Sequence, residues 1–154
     1  MRRQDRQISP TESTDLLGRA EYGILGLITP DGQPYTVPLS YVFMDGAIYV
    51  HCAPYGLKID CIGTSSKAAF TVVGETRPVY VTDFSTYYES AMVFGTIGPV
   101  EAEQEKYDAL YALAAKYLPD YLDRAEGSIT RSFEHTAVYV LRPEQITGKA
   151  KKKS

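Results

Sequence analysis

The sequence contains no tryptophan, only two histidines and only two cysteines. Cys52 and Cys61 are too few for a disulfide framework, and the polar opening Met1-Arg2-Arg3-Gln4-Asp5 has no secretory character, so a reducing cytoplasm is the expected compartment. His51 and His135 come with no Cys-x-x-Cys or histidine-rich spacing, which argues against a metal centre. No apolar run approaches the roughly 20 residues of a membrane span, so no membrane association is expected. Nucleophile-elbow, phosphate-loop and dinucleotide fingerprints are all missing. A net charge of −3 gives no general attraction to nucleic acid. The lysine-rich stretch 149–153 is the exception in sign, and its place at the chain end reads as a solvated tail.

What is abundant is tyrosine, with 13 copies in 154 residues. Its large ring fits a pleated sheet, and its hydroxyl suits pockets and interfaces. The length allows one domain with a sizeable core, read as residues 1–154 with tail-like segments at 1–8 and 148–154.

Along the chain, Ser9-Pro10-Thr11-Glu12 has the form of a capping box opening a short helix that ends near Gly18. Tyr22 to Thr29 is nearly continuous apolar sequence, the pattern of a strand buried on both faces. Pro30-Asp31-Gly32 is a turn. Tyr35 to Phe43 alternates as a single strand, with Pro38 placing it at an edge or a bulge. Asp45-Gly46 marks a hairpin returning through Ala47 to Cys52. Further strands are expected at Ala68 to Val73, Val79 to Thr82, Glu89 to Val100 and Thr136 to Leu141, the last closed by Pro143. Leu57 to about Gly63 reads as two helical turns. Glu103 to Leu118 is the clearest helix, with Tyr107, Leu110, Tyr111, Ala114 and Leu118 as its apolar stripe. Residues 120–132 form a second short helix or an ordered loop. Early hairpins followed by inserted helices predict a mostly β fold with accessory helices, an antiparallel barrel rather than a βαβ sheet.

The segment from Ala47 to Lys67 holds the features of an anion site. A strand ends at His51 and Cys52, a loop with Pro54 and Gly56 allows close backbone approach, and a helix then begins. Lys58 falls in the first helical turn, where a cation is disfavoured unless an anion is bound. Short loops of this kind also occur with no ligand, and a lone strand histidine such as His51 is often structural. Alternation puts His51 on one face with Tyr49 and Ala47. Tyr87-Tyr88-Glu89-Ser90 places hydroxyls and a carboxylate where a strand begins.

Taken in order, several segments resemble the 5-nitroimidazole-resistance (Nim-type) proteins of the pyridoxamine 5′-phosphate oxidase-like, FMN-binding split-barrel superfamily. They are Met1 to Arg6, Gly32-Gln33-Pro34-Tyr35-Thr36-Val37-Pro38-Leu39-Ser40, His51-Cys52-Ala53, Gly56-Leu57-Lys58-Ile59-Asp60, Tyr88-Glu89-Ser90, Phe94-Gly95 and Thr147-Gly148-Lys149. The resemblance implies a six-stranded antiparallel split β-barrel, with FMN bound non-covalently at the interface of a homodimer. It implies that Pro38, Leu39 and Ser40 lie along the isoalloxazine ring. His51, Cys52, Ala53, Lys58 and Ile59 would form the ribityl and phosphate end. Glu89 and Ser90 would face the flavin from the partner chain or border the substrate pocket. His51 is the implied catalytic residue, acting on a small-molecule substrate such as a nitroaromatic. Three alternatives stay open: a non-catalytic flavin-binding protein, a haem- or deazaflavin-binding relative, and a purely structural dimerisation module. Residues 75–83 depart from the family's usual composition, which bears on the substrate side. No arginine-rich substrate segment is present, so oxidation of pyridoxamine phosphate is not expected.

Overall fold

A computed structural model describes residues 3–80 and 84–152. Helix α1 (Pro10–Arg19) begins as its capping box predicts: the Ser9 side chain accepts from the Glu12 N–H, and the Glu12 carboxylate accepts from the Ser9 N–H. Strands β1 (Gly23–Ile28), β2 (Pro34–Leu39), β3 (Val42–Met44) and β4 (Ala47–Cys52) follow. Helix α2 (Leu57–Thr64) comes next, then the long strands β5 (Lys67–Tyr80) and β6 (Phe84–Pro99). Helices α3 (Glu103–Tyr117) and α4 (Ala125–Ser132) precede the last strand, β7 (Ala137–Lys151). All strand pairs are antiparallel, and the seven strands form one sheet in the order β2-β1-β5-β6-β7-β4-β3.

That order explains why the barrel is split. β2 and β3 lie at opposite edges of the sheet, yet only Ser40 and Tyr41 separate them in sequence. The sheet must therefore curl until its edges nearly meet, without the hydrogen bonds that would close it. The expected single strand from Tyr35 to Phe43 is broken at this corner, so there are seven strands rather than six. Tyr41 is the reason for the break. Its ring is fully buried, edge-on to Phe70 at 4.8 Å between centroids, and its hydroxyl donates to the Leu17 carbonyl. The backbone of the corner is satisfied by the Tyr117 hydroxyl, which accepts from the Tyr41 N–H at 3.0 Å and donates to the Glu21 carbonyl at 2.6 Å.

Other expectations shift for identifiable reasons. β1 buries one face only: Leu25 and Leu27 point into the barrel, while Ile24 and Ile28 remain on the outer face. The two strands expected around Gly74 are one strand, β5, with an irregularity between Val73 and Thr76; residue 82 lies outside the described residues. β7 runs past Pro143, where the β6–β7 register shifts, so residues 148–151 are strand and not tail. Gln7 bridges to Lys149, and the Ile8 N–H donates to the Gly148 carbonyl, tying down the N-terminal segment as well.

The main core fills the barrel around Leu25, Tyr41, Val50, Phe70, Val72 and Val93. A second, smaller core lies outside β4 and β7, where Ala47, Tyr49, Val138 and Val140 receive Ala109 of α3. Small Ala109 lets α3 dock closely, which turns the helix away from its expected stripe. Ala109 and Leu113 are buried, whereas Tyr111 and Leu118 are 40% and 57% exposed. Among the described residues, no helix is long and apolar enough to cross a membrane.

Candidate functional site

Alternation along β4 sends Ile48, Val50 and Cys52 toward the barrel, and Ala47, Tyr49 and His51 toward α3. His51 and Cys52 are consecutive, but they line different cavities on opposite faces of the strand. The site is therefore built in two halves around the split.

The first half is a cavity of about 240 Å³ between β2 and the start of α2, lined by Tyr35, Val37, Cys52, Ala53, Lys58 and Ile59 among others. Gly56 caps α2 with φ +119°, a conformation that favours glycine, and no side chain satisfies the helix start. Lys58 has no carboxylate partner among the described residues. An unpaired cation and an uncapped helix start facing one cavity make a fitting place for a phosphate. Burial raises the Cys52 thiol pKa against the opposing pull of Lys58, so this cysteine stays protonated at neutral pH.

The second half is a larger cavity of about 570 Å³ between the sheet and helices α3 and α4. Ser40 and His51 form its sheet side; Leu113, Ala114, Leu118 and Ile129 form much of its helical wall. Thus, of the expected apolar stripe, Leu110 packs on the second core while also bordering this space, and Ala114 and Leu118 border the space as well. The His51 ring is partly open to solvent at this cavity. Burial of the rest and, secondarily, the Lys58 ammonium hold its pKa below the ordinary histidine value. His51 is consequently neutral at pH 7, able to accept a proton on one ring nitrogen while donating from the other.

The remaining expected site residues lie elsewhere in the chain. Leu39 packs on the barrel core. Pro38 is exposed on the outer face of β2, paired in register with Ile24. Ser90 sits between Val73 and Lys149 in the sheet. Glu89 lines a third cavity with Arg77 and Lys151, and Arg19 holds its carboxylate at 2.6 Å, the main cause of its lowered pKa. Within one chain, Glu89 and Ser90 are not brought to the Lys58 cavity.

Sequence reasoning missed Tyr35, Val37, Arg131 and Thr136, which also line the two halves. Tyr35 and Val37 carried a usable signal, since they alternate with Pro38 in an edge strand. Arg131 and Thr136 carried none, because nothing local ties residues 128–136 to His51.

The sequence profile of the family described as pyridoxamine 5′-phosphate oxidase matches residues 9–150. No curated protein sequence matches the chain. Among solved structures, one similar protein is provisionally named a 5-nitroimidazole antibiotic resistance protein, from Bacteroides thetaiotaomicron. It is 26% identical with a TM-score of 0.80, over 94% of this chain and 86% of that one. An FAD and haem binding protein from Mycobacterium smegmatis is 21% identical with a TM-score of 0.83, over 96% of this chain and 74% of that one. An FAD-binding protein from Mesorhizobium loti is 23% identical with a TM-score of 0.67, over 96% of this chain and 98% of that one. These last two likenesses concern the fold.

Proposed function

Because the chain belongs to the pyridoxamine 5′-phosphate oxidase family, we propose that it is an FMN-binding oxidoreductase that works as a cytoplasmic homodimer and reduces a small electrophile. The observation that carries this reading is the two-part site at the split. Lys58 and an uncapped helix start face one cavity, and neutral His51 with Ser40 faces the next.

The 240 Å³ cavity suits a phosphate and part of a ribityl chain, not a whole flavin. Ser40 and His51 of the neighbouring cavity, with Leu39 next to Ser40 in sequence, would hold the ring. Lys58 would balance the phosphate charge. His51 would hold or deliver a proton at a ring nitrogen beside the substrate. The bound flavin supplies the redox chemistry itself. The similar protein named for 5-nitroimidazole resistance makes a nitroaromatic a natural first substrate to try.

The outer face of the sheet supports the proposed homodimer. Ile24 and Met92 lie in one row through Thr71, and Phe94 sits beside Ala69 in the next. With Ile28 and Val73 they form an exposed apolar surface, the kind that another protein surface covers.

The test is the absorption spectrum of the purified protein, followed by anaerobic reduction and addition of a nitroimidazole. A yellow dimeric protein that is reoxidised by the nitro compound supports the proposal. A colourless chain that takes up no added FMN contradicts it. A haem absorption band, or FMN binding without turnover, would select the corresponding alternative.

A further inference from the structure

The helix-walled cavity is larger than a flavin ring edge needs, and its single charged lining residue is Arg131 of α4. We propose that this cavity is the bay for the second substrate and that Arg131 reads a carboxylate on it. The preferred substrate class is then a small monocarboxylic acid with an apolar or aromatic body. This inference rests on the flavin reading above.

The shape and the polarity of the bay both support it. At about 570 Å³ it falls in the size range of small-molecule sites, roughly 300–1,000 Å³. Leu113, Ala114, Leu118 and Ile129 offer an apolar body its contact surface. Arg131 sits at the same cavity, folded back along its own helix. Its Nη2 donates to the Ser128 hydroxyl at 3.2 Å, and its Nη1 lies 3.4 Å from where a side chain on Gly127 would begin. No carboxylate pairs with it among the described residues. A guanidinium carries five donors, of which Ser128 takes one, so a two-donor edge is left for a ligand.

A planar carboxylate matches that edge with two parallel charge-assisted bonds, which a neutral amide or a nitro group cannot equal. His51 does not compete as a second anion site, because its environment disfavours the imidazolium. Nor does Lys116, whose ammonium is turned away over the Tyr41 ring at 3.8 Å. Arg131 is the one charged group in the lining, so a single carboxylate is matched by charge there.

The experiment is a titration with benzoate and with its neutral counterpart benzamide. Perturbation of the flavin spectrum is read on the FMN-loaded protein, and thermal stabilisation is read on the chain freed of flavin. Benzoate should bind at least about tenfold more tightly than benzamide, since charged hydrogen bonds exceed neutral ones by that order. Arg131→Met should abolish the preference, and Arg131→Lys should retain part of it. Equal binding of the two ligands, or a preference unchanged in Arg131→Met, would overturn the proposal. Failure of FMN to bind would defeat the flavin reading alone, since the thermal measurement tests the carboxylate preference without it.

Discussion

The two halves of the site differ in how they are built. The Lys58 half comes mostly from one contiguous stretch, residues 52–59, laid against the edge strand β2. The helix-walled half gathers Ser40, His51, two helices and Thr136 from distant parts of the chain. The first half offers an unpaired cation and open backbone donors; the second offers a neutral imidazole, leucines and one arginine. In the proposed reading the contiguous loop meets the phosphate of the cofactor. Helices α3 and α4 shape the second space, and α3 also holds the barrel corner through Tyr117.

The largest expected effect tests the proposed second copy of the chain. The double substitution Ile24→Asp with Met92→Asp places charges on the outer sheet face. It should raise the dimer dissociation constant by about 100-fold or more, because two buried carboxylates per chain would lack partners. Sedimentation would read the monomer, and unchanged far-ultraviolet circular dichroism would show that the barrel persists. A dimer as tight as before would place the interface elsewhere.

At the corner where the halves meet, Tyr117→Phe removes the hydroxyl that serves both the Tyr41 N–H and the Glu21 carbonyl. A loss of about 1 kcal/mol is expected from urea unfolding, the net worth of hydrogen bonds to backbone groups that water can partly reach. Tyr111→Phe, on the exposed side of the same helix, should change little.

Electrostatic communication between the halves gives a smaller effect. Lys58 lowers the His51 pKa as the second cause after burial. Lys58→Met should therefore raise it, without restoring the ordinary value. Proton NMR would show this at His51, with His135 as the internal control. An unmoved His51 would mean that the two cavities are electrostatically separate.

The smallest effect concerns Lys116 behind the helical wall. Its Nζ has no hydrogen-bond partner among the described residues, and burial lowers its pKa to about 8. The folded chain therefore releases this proton before the unfolded chain does. From pH 8 upward toward the ordinary lysine value, this site alone makes stability rise with pH. Lys116→Met should accordingly raise Tm by about 2 °C at neutral pH, and the gain should shrink between pH 8 and 10. A gain that stays constant with pH would contradict the assignment.

How legible each half was follows from the same contrast. The capping box at Ser9, the hairpin at Asp45-Gly46 and the short helix carrying Lys58 were readable because neighbouring residues decide them. The break at Tyr41 was not, since it depends on Phe70 and Leu17 far along the chain. The α3 stripe was misplaced because its period is compatible with adjacent faces, and only the small Ala109 docking on Tyr49 chooses between them. β1 looked buried on both sides because Ile24 and Ile28 are apolar although the folded chain leaves them exposed. His51 and Lys58 could be named from sequence as neighbours. Their separation onto two faces of β4 became clear only with the helices in place.

The central claim is that Lys58 and the start of α2 hold a flavin phosphate. Its most direct test compares FMN with riboflavin, which lacks that phosphate, in titrations of the flavin-free protein and of Lys58→Ala. The account predicts that FMN binds the unaltered chain about 10–100-fold more tightly than riboflavin, the value of charged hydrogen bonds to a phosphate. It also predicts that most of this advantage disappears in Lys58→Ala, while riboflavin affinity is unchanged. Equal affinity for the two flavins in the unaltered chain, or an FMN advantage that survives the loss of Lys58, would contradict it.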